Sequence, residues 1–311
     1  MISNITRHIV YTLQLNKVGV VLASKIFALY SDNNIQSDDD YYLFIIKLIR
    51  NPQGLKLSHL TEKDVALAIE IGKRIIEDSD SIRISIISTF DESYPKRLKF
   101  NKDRPLILNY RGNLNALSKK SIGIIGSRKA SKDSLGNAYF LGNYFAQRGY
   151  NVLSGLALGC DTSAHLGALS ASGITTAILP CGLDKVHPKS NDKLANQILE
   201  QDGLLISEYF LGVTPMKGFY VQRDRLQALF SDHLVNVQSK IDGGSMHASN
   251  YAMSIKRNVA AFDCEGNDQI YSGNLHLFEK GAFRLNNNNI DQFLLLGSDQ
   301  QNMDEEQLRL F

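Results

Sequence analysis

Cysteine is scarce in this 311-residue chain, and Cys160, Cys181 and Cys264 form no CxxC pair. That excludes a zinc ribbon and a disulfide framework, fits a reducing compartment, and makes all three small buried apolar groups. Charge of one sign is lacking too. The 34 basic residues face 32 acidic ones, a net of +2, so any contact with a polyanion must come from a local patch. No apolar run approaches the ~20 residues of a membrane span. The start, MISNITRHIVYTLQLNK, has neither the basic opening, the long apolar segment nor the small-residue cleavage site of a secretory signal. The expectation is a cytoplasmic protein without a membrane segment.

The charge that exists is uneven. Residues 1–120 hold 18 basic and 13 acidic residues, 121–285 hold 15 and 14, and 286–311 hold 1 and 5. The patterning changes at similar places. In 1–85, HIVYTLQL, GVVLASKIFALY, YYLFIIKLIR and EKDVALAIEIGKRIIEDSD carry apolar residues at three- and four-residue steps, which predicts an all-helical domain. Thr61 with Asp64 has the form of a helix start. A second domain, 86–285, opens with a bridge rich in proline, glycine and charge. From 121 it alternates strand candidates (IGIIG, NVLSG, ITTAILP, LLISE, HLVNVQ, NVAAFDC) with helix candidates, several ending at a glycine such as Gly149, Gly173 or Gly203. Such alternation predicts an α/β fold, a parallel sheet with helices on both faces. The segment 286–311, with its asparagine run and acids, reads as a flexible acidic tail.

In open parallel sheets ligands sit at the carboxyl ends of the strands. The first strand candidate delivers Gly126-Ser127-Arg128 to a helix start. This is a phosphate-binding arrangement, but it lacks the three spaced glycines of a dinucleotide loop. The same edge gathers Arg128, Lys185, Lys189, Lys217, Arg223, Arg225 and Lys240, with Phe219 and Tyr220 offering rings. Cations interleaved with aromatics suit single-stranded nucleic acid, because cations meet successive phosphates while rings stack on bases. Solvated surface charge is the plain alternative. No catalytic set is assembled. Asp161 and His165 are four apart without a third metal ligand, and fit a helix cap and a packing group better. Ser154 stands in LSGLA, not in a nucleophile elbow.

These blocks resemble the DNA-processing protein family, DprA/Smf. The likeness begins with DESYPKRL and PLILNYRGN. It runs through GSR, LSGLALGCDTSAHLGAL, ILPCGLDKVHPKSN, LLISEY, GVTP, FYVQRDR and GGS, and ends with GNLHLFEKGA. It implies an extended Rossmann-like domain that binds single-stranded DNA without catalysis. It further implies a cofactor-free protein that helps load the RecA recombinase in natural transformation and forms a homodimer. By the resemblance, Arg128 grips a phosphate, Lys189 lines the pocket, and Phe219 stacks on a base with Arg223 and Arg225 nearby. Gly244 and Ser245 offer donors, and Gly126, Ser127, Ser154, Gly155, Lys185 and Lys217 complete the surface.

Three departures mark a divergent member. Arg223-Asp224-Arg225 replaces Arg-Asn-Arg, placing an acid that lowers the local field. His187-Pro188 replaces a tyrosine before the proline. Asp242-Gly243-Gly244-Ser245-Met246-His247-Ala248 replaces a serine-glycine segment. No segment reads as the C-terminal winged helix that many members carry. The ending Gln307-Leu308-Arg309-Leu310-Phe311 resembles the peptide that docks on the β sliding clamp, with Gln307, Leu308, Leu310 and Phe311 as the contacting residues. The alternatives are a small-nucleotide sensor or hydrolase of the related Rossmann-like superfamily, and a scaffold in a mobile-element defence module. Against the hydrolase, no catalytic glutamate follows the glycine pair.

Overall fold

A computed structural model describes residues 2–30, 35–99, 101–263 and 269–296. The chain divides into two compact units: Met1–Tyr110 with Glu208–Leu211, and Arg111–Ser207 with the chain from Gly212 onward.

The first unit holds four helices, α1 (Asn4–Thr12), α2 (Val20–Ala28), α3 (Asp38–Arg50) and α4 (Glu62–Ser81). Ser37 and Thr61 cap α3 and α4. Each hydroxyl accepts an amide three residues on, and the Asp40 or Asp64 carboxylate accepts the cap's own N–H. The apolar stripes meet in a core of Ile9, Tyr11, Ile26, Phe27, Tyr41, Ile45 and Leu57. His8 is buried there, stacked 4.8 Å from Tyr41 and bonded to Tyr30 (2.5 Å) and Asp38 (3.2 Å). The unit runs past residue 85. Strands β1 (Ser85–Ser88) and β2 (Ile107–Gly112) pair antiparallel, and Ile86, Leu106 and Ile107 join the helical core.

The second unit bears out the α/β expectation. Its strands are β3 (Ser121–Ile125), β4 (Asn151–Ser154), β5 (Thr175–Ile178), β6 (Leu204–Ser207), β7 (His233–Asn236), β8 (Asn258–Phe262) and β9 (Phe283–Leu285). They run parallel in the order β6-β5-β4-β3-β7-β8-β9. The interleaved helices are α5 (Lys132–Gln147), α6 (Cys160–Ser170), α7 (Asp192–Glu200), α8 (Lys217–Phe230), α9 (Ser245–Ser254), α10 (Ser272–Glu279) and α11 (Ile290–Leu295). Strands β3 to β7 are buried along their whole length, as parallel strands covered on both faces must be. The chain steps from β3 toward β6 on one side and from β7 toward β9 on the other. The topological switch therefore lies between β3 and β7, where such sheets open a crevice at their carboxyl ends.

Helices α5 and α6 pack closely because a Cβ on Gly142 would sit on the Ala164 carbonyl, and one on Gly167 on the Tyr139 carbonyl. Of the three expected glycine stops only Gly149 takes a left-handed φ, +78°. Elsewhere Ser172 and Asp202 make that turn. Gly173 and Gly203 are needed instead for close approach: a Cβ would lie 2.5 Å from Ala146 Cβ in the first case and from the Ile198 oxygen in the second.

The expected flexible tail needs correction in its described part. Residues 286–296 fold, with Ile290 and Phe293 of α11 buried in the core that covers β3 and β7. Cys160 and Cys181 are free and buried, and burial pushes their thiols up to about 12 and about 11. Cys264 and the peptide Gln307, Leu308, Leu310 and Phe311 lie outside the described residues.

Candidate nucleic-acid interface

Strand β3 ends at Gly126, which has no room for a side chain, since a Cβ would lie 2.6 Å from Cys160 Sγ. The chain then turns through Ser127 to Arg128. Gln238, beyond β7, holds this turn twice: its backbone oxygen accepts Ser127 N–H (2.8 Å) and its side-chain oxygen accepts Ser131 N–H (2.8 Å). Ser131 in turn caps α5. The loop is thereby fixed across the switch point with Arg128 exposed.

Arg128 stacks its guanidinium 4.8 Å from the centroid of the Tyr220 ring. The same ring meets His187 edge-to-face, with the centroids 6.4 Å apart. Together with Gly155, Ala157, Leu158, Pro180, Pro188 and Arg223, these three residues line a cavity of about 70 Å³ at the carboxyl ends of β3, β4 and β5. Lys185 and Lys189 are exposed on the β5 loop, and Lys217 is the exposed first residue of α8.

The floor of the cavity is a buried polar network. Arg223, 5% exposed, donates to Asp224 Oδ1 (2.9 Å), the Gly155 carbonyl (2.6 Å) and the Ile178 carbonyl (3.0 Å). Asp161, on the first turn of α6, accepts the Gly155 and Ala157 N–H groups (3.1 and 3.3 Å). Desolvation raises its carboxyl to about 6, against the pull of Arg223. Leu156 between them adopts φ +56°, a left-handed turn that costs a leucine about 1–2 kcal/mol. Asn191 holds its oxygen (2.8 Å) and also bonds Thr162 Oγ1 (2.9 Å), tying the β4 and β5 loops together.

The expected surface therefore splits. Arg128, Lys185, Lys189 and Lys217 stand on the exposed rim. Gly244, at the head of α9, is exposed, while half-buried Ser245 donates to Ser239 Oγ (2.8 Å). Gly126, Ser127 and Gly155 shape the loops, and Gly155 uses both its N–H and its carbonyl internally. Two expectations need correction. Ser154 is wholly buried and donates to the Ile124 carbonyl (2.6 Å), so its hydroxyl braces β3 against β4. Arg223 is an internal anchor, because its donors already serve two carbonyls and a carboxylate. Arg225 is half-buried and already partnered. Tyr220 is the ring that lines the cavity, whereas Phe219 is half-buried one residue earlier. The sequence marked His187 only as a departure from the family's tyrosine, and Asn191 only by its place after Lys189.

Asp161 accepts loop amides rather than serving as a metal ligand, and burial pushes His165, bonded to Thr175 Oγ1 (2.7 Å), down to about 3. Among the described residues no group of three or more His, Cys, Asp or Glu side chains is placed to hold a metal ion, and no helix is long and apolar enough to cross a membrane.

A parallel sheet with a cationic, ring-bearing cavity at its switch-point edge defines a Rossmann-like α/β protein. More narrowly, the chain belongs to the DNA recombination-mediator protein A family, whose pattern matches residues 85–295. Protein Smf of Borreliella burgdorferi is 27% identical over 246 residues, 78% of this chain and 74% of that protein. DNA processing protein DprA of Streptococcus pneumoniae is 33% identical over 195 residues, 63% of this chain and 68% of that protein. The solved structure of DprA from S. pneumoniae matches with a TM-score of 0.71 at 26% identity, covering 92% of this chain and 95% of that one. DprA from Helicobacter pylori, whose structure was described for its single-stranded DNA binding mode, matches at 0.62 and 30%, covering 68% and 96%.

Proposed function

We propose that this chain binds single-stranded DNA by its phosphates along the carboxyl-end rim and does no chemistry on it. It acts as a recombination mediator in the cytoplasm: as a homodimer it protects the strand and helps load the RecA recombinase, as in natural transformation. Docking of the QLRLF peptide on the β sliding clamp belongs to the same proposal, on its sequence alone.

The observation that carries the reading is Arg128, braced on Tyr220 at the mouth of the cavity and joined on separate loops by exposed Lys185, Lys189 and Lys217. Cations spread over several loops suit the separated phosphates of a strand better than the clustered phosphates of one nucleotide. The H. pylori relative's single-stranded DNA binding mode supports the same reading.

The test is fluorescence anisotropy of labelled single- and double-stranded oligonucleotides across a salt series, with intact protein and Arg128→Ala. Single strands are expected to bind more tightly. Arg128→Ala loses roughly 10- to 100-fold, the worth of a hydrogen-bonded charge, and flattens the salt slope by about 0.7. Indifference to DNA at low salt would sink the reading.

A further inference from the structure

We infer that His187 is a proton-dependent phosphate ligand, so that this protein grips single strands more tightly as the medium turns mildly acidic. The inference rests on the reading of the rim as a phosphate track.

The geometry points to it directly. His187 is exposed on the β5 loop and lines the same cavity as Arg128, Arg223 and Tyr220. Its ring meets the Tyr220 ring at 62°, and the Arg128 guanidinium lies over the same Tyr220 ring. An anion in the cavity would thus have both Arg128 and His187 in its lining. Histidine is the side chain type that gains a charge on mild acidification, and a protonated imidazole there would add a second cation beside the Arg128 guanidinium. A cavity of about 70 Å³ suits a small anionic group, and a gain that falls on the phosphate is independent of sequence.

Other titratable and charged groups surround the site. On its own loop are Asp184, Lys185 and Lys189, and Asp184 is occupied by the Gly212 N–H (2.8 Å). From α8 come Tyr220, Arg223 and Asp224, with Asp224 bonded to Arg223. Asp161 reaches the cavity floor from α6, and His247 on α9 lies within electrostatic range of Asp224 together with Arg128. The experiment separates His187 from Asp161 and His247 by replacing each in turn.

Binding of an oligo-dT carrying a pH-insensitive dye is measured by anisotropy at about pH 8 and about pH 6, at matched ionic strength, each across a salt series. Intact protein is expected to gain roughly tenfold in affinity on acidification, the equivalent of one unit of linked proton affinity. The slope of log affinity against log salt should steepen by about 0.7, one additional phosphate neutralised on a single strand. His187→Gln should bind at both pH values as intact protein does at the higher one, with no change of slope. His187→Lys should bind tightly at both. His247→Gln and Asp161→Asn should keep the pH step. If His187→Gln retains the step, or Asp161→Asn or His247→Gln abolishes it, the inference is wrong while the mediator reading stands. If intact protein binds no DNA at either pH, both fall.

Discussion

Replacing Gly155 with alanine probes the buried arginine beneath the cavity. A methyl group there would coincide with Arg223 Nη1 and come within 2.8 Å of Asp161 Oδ2. One of two things must yield. If the guanidinium moves, it gives up the Gly155 and Ile178 carbonyls and weakens its hold on Asp224. Hydrogen bonds to charged groups are worth about 1.5–3 kcal/mol each, and breaking a buried pair costs about 3–5 kcal/mol. If the loop moves instead, the Gly155 and Ala157 amides leave Asp161, a loss of the same order. The smaller unfolded-state entropy of alanine returns less than about 1 kcal/mol. Gly155→Ala is therefore expected to destabilise the fold by about 3–5 kcal/mol, or roughly 6–20 °C in Tm at about 2–4 °C per kcal/mol for a domain of this size. The chain has no tryptophan, so urea unfolding is followed by far-UV circular dichroism. The decisive step is a cycle with Arg223→Met. Without the guanidinium the space is open, and the same methyl should cost under about 1 kcal/mol, a coupling of at least ~2 kcal/mol. An equal cost in both backgrounds would refute the steric account.

Helix α5 offers two glycine replacements of opposite sign. Gly142→Ala drives a Cβ into the Ala164 carbonyl and should cost about 1–3 kcal/mol as α5 and α6 separate. Gly136→Ala meets nothing within 4 Å and should stabilise by up to about 1 kcal/mol; a raised urea midpoint for the first or a lowered one for the second would contradict that prediction. Stability should also fall in acid. His165 binds its proton only near pH 3 in the folded state, so the unfolded chain takes it up first, and stability present above about 6.5 is lost as pH falls, by up to about 4–5 kcal/mol. Asp161, raised to about 6, has the opposite sign: its contribution is present at low pH and is lost, up to about 3 kcal/mol, as pH rises from about 4 through 6. The two largely cancel between pH 4 and 6, so the uncompensated part of the His165 loss, about 1–2 kcal/mol, should appear between about pH 4 and 3, and His165→Gln should remove it from acid-unfolding curves.

The parallel sheet was legible because strands covered on both faces appear as unbroken apolar runs such as IGIIG and LLISE. Strand β9 was not, for Phe283-Arg284-Leu285 is three residues long with a charge at its centre. Thr61 and Asp64 announced their capping box because that motif is local. Ser172 and Asp202 were missed as left-handed turns because a neighbouring glycine drew the assignment, while Gly173 and Gly203 answer to contacts with Ala146 and Ile198 that sequence spacing does not encode. The exposed rim, Arg128 with Lys185, Lys189 and Lys217, followed from the rule that loops after parallel strands share one edge. Arg223 looked the same in sequence as Arg128. Its burial depends on carbonyls from the ends of β4 and β5, 68 and 45 residues away along the chain.

That burial changes the meaning of Asp224. As an acid between two arginines on a DNA-facing helix, it would subtract from the attraction of the rim. In the structure it is 7% exposed and bonded to Arg223, and burial raises its carboxyl. Two opposite charges 2.9 Å apart beneath the surface cancel at a distance. Screening of about 8–10 Å at ordinary salt removes most of what remains outside. The field outside the rim is therefore set by Arg128 and the exposed lysines, and the acid belongs to the machinery that holds their platform in shape. Arg223 clamps the Gly155 and Ile178 carbonyls, Asp224 holds Arg223, and Asp161 and Asn191 hold the loop that walls the cavity. A departure that looks like a loss of binding power at the level of sequence is, in the fold, a matter of stability and of cavity shape.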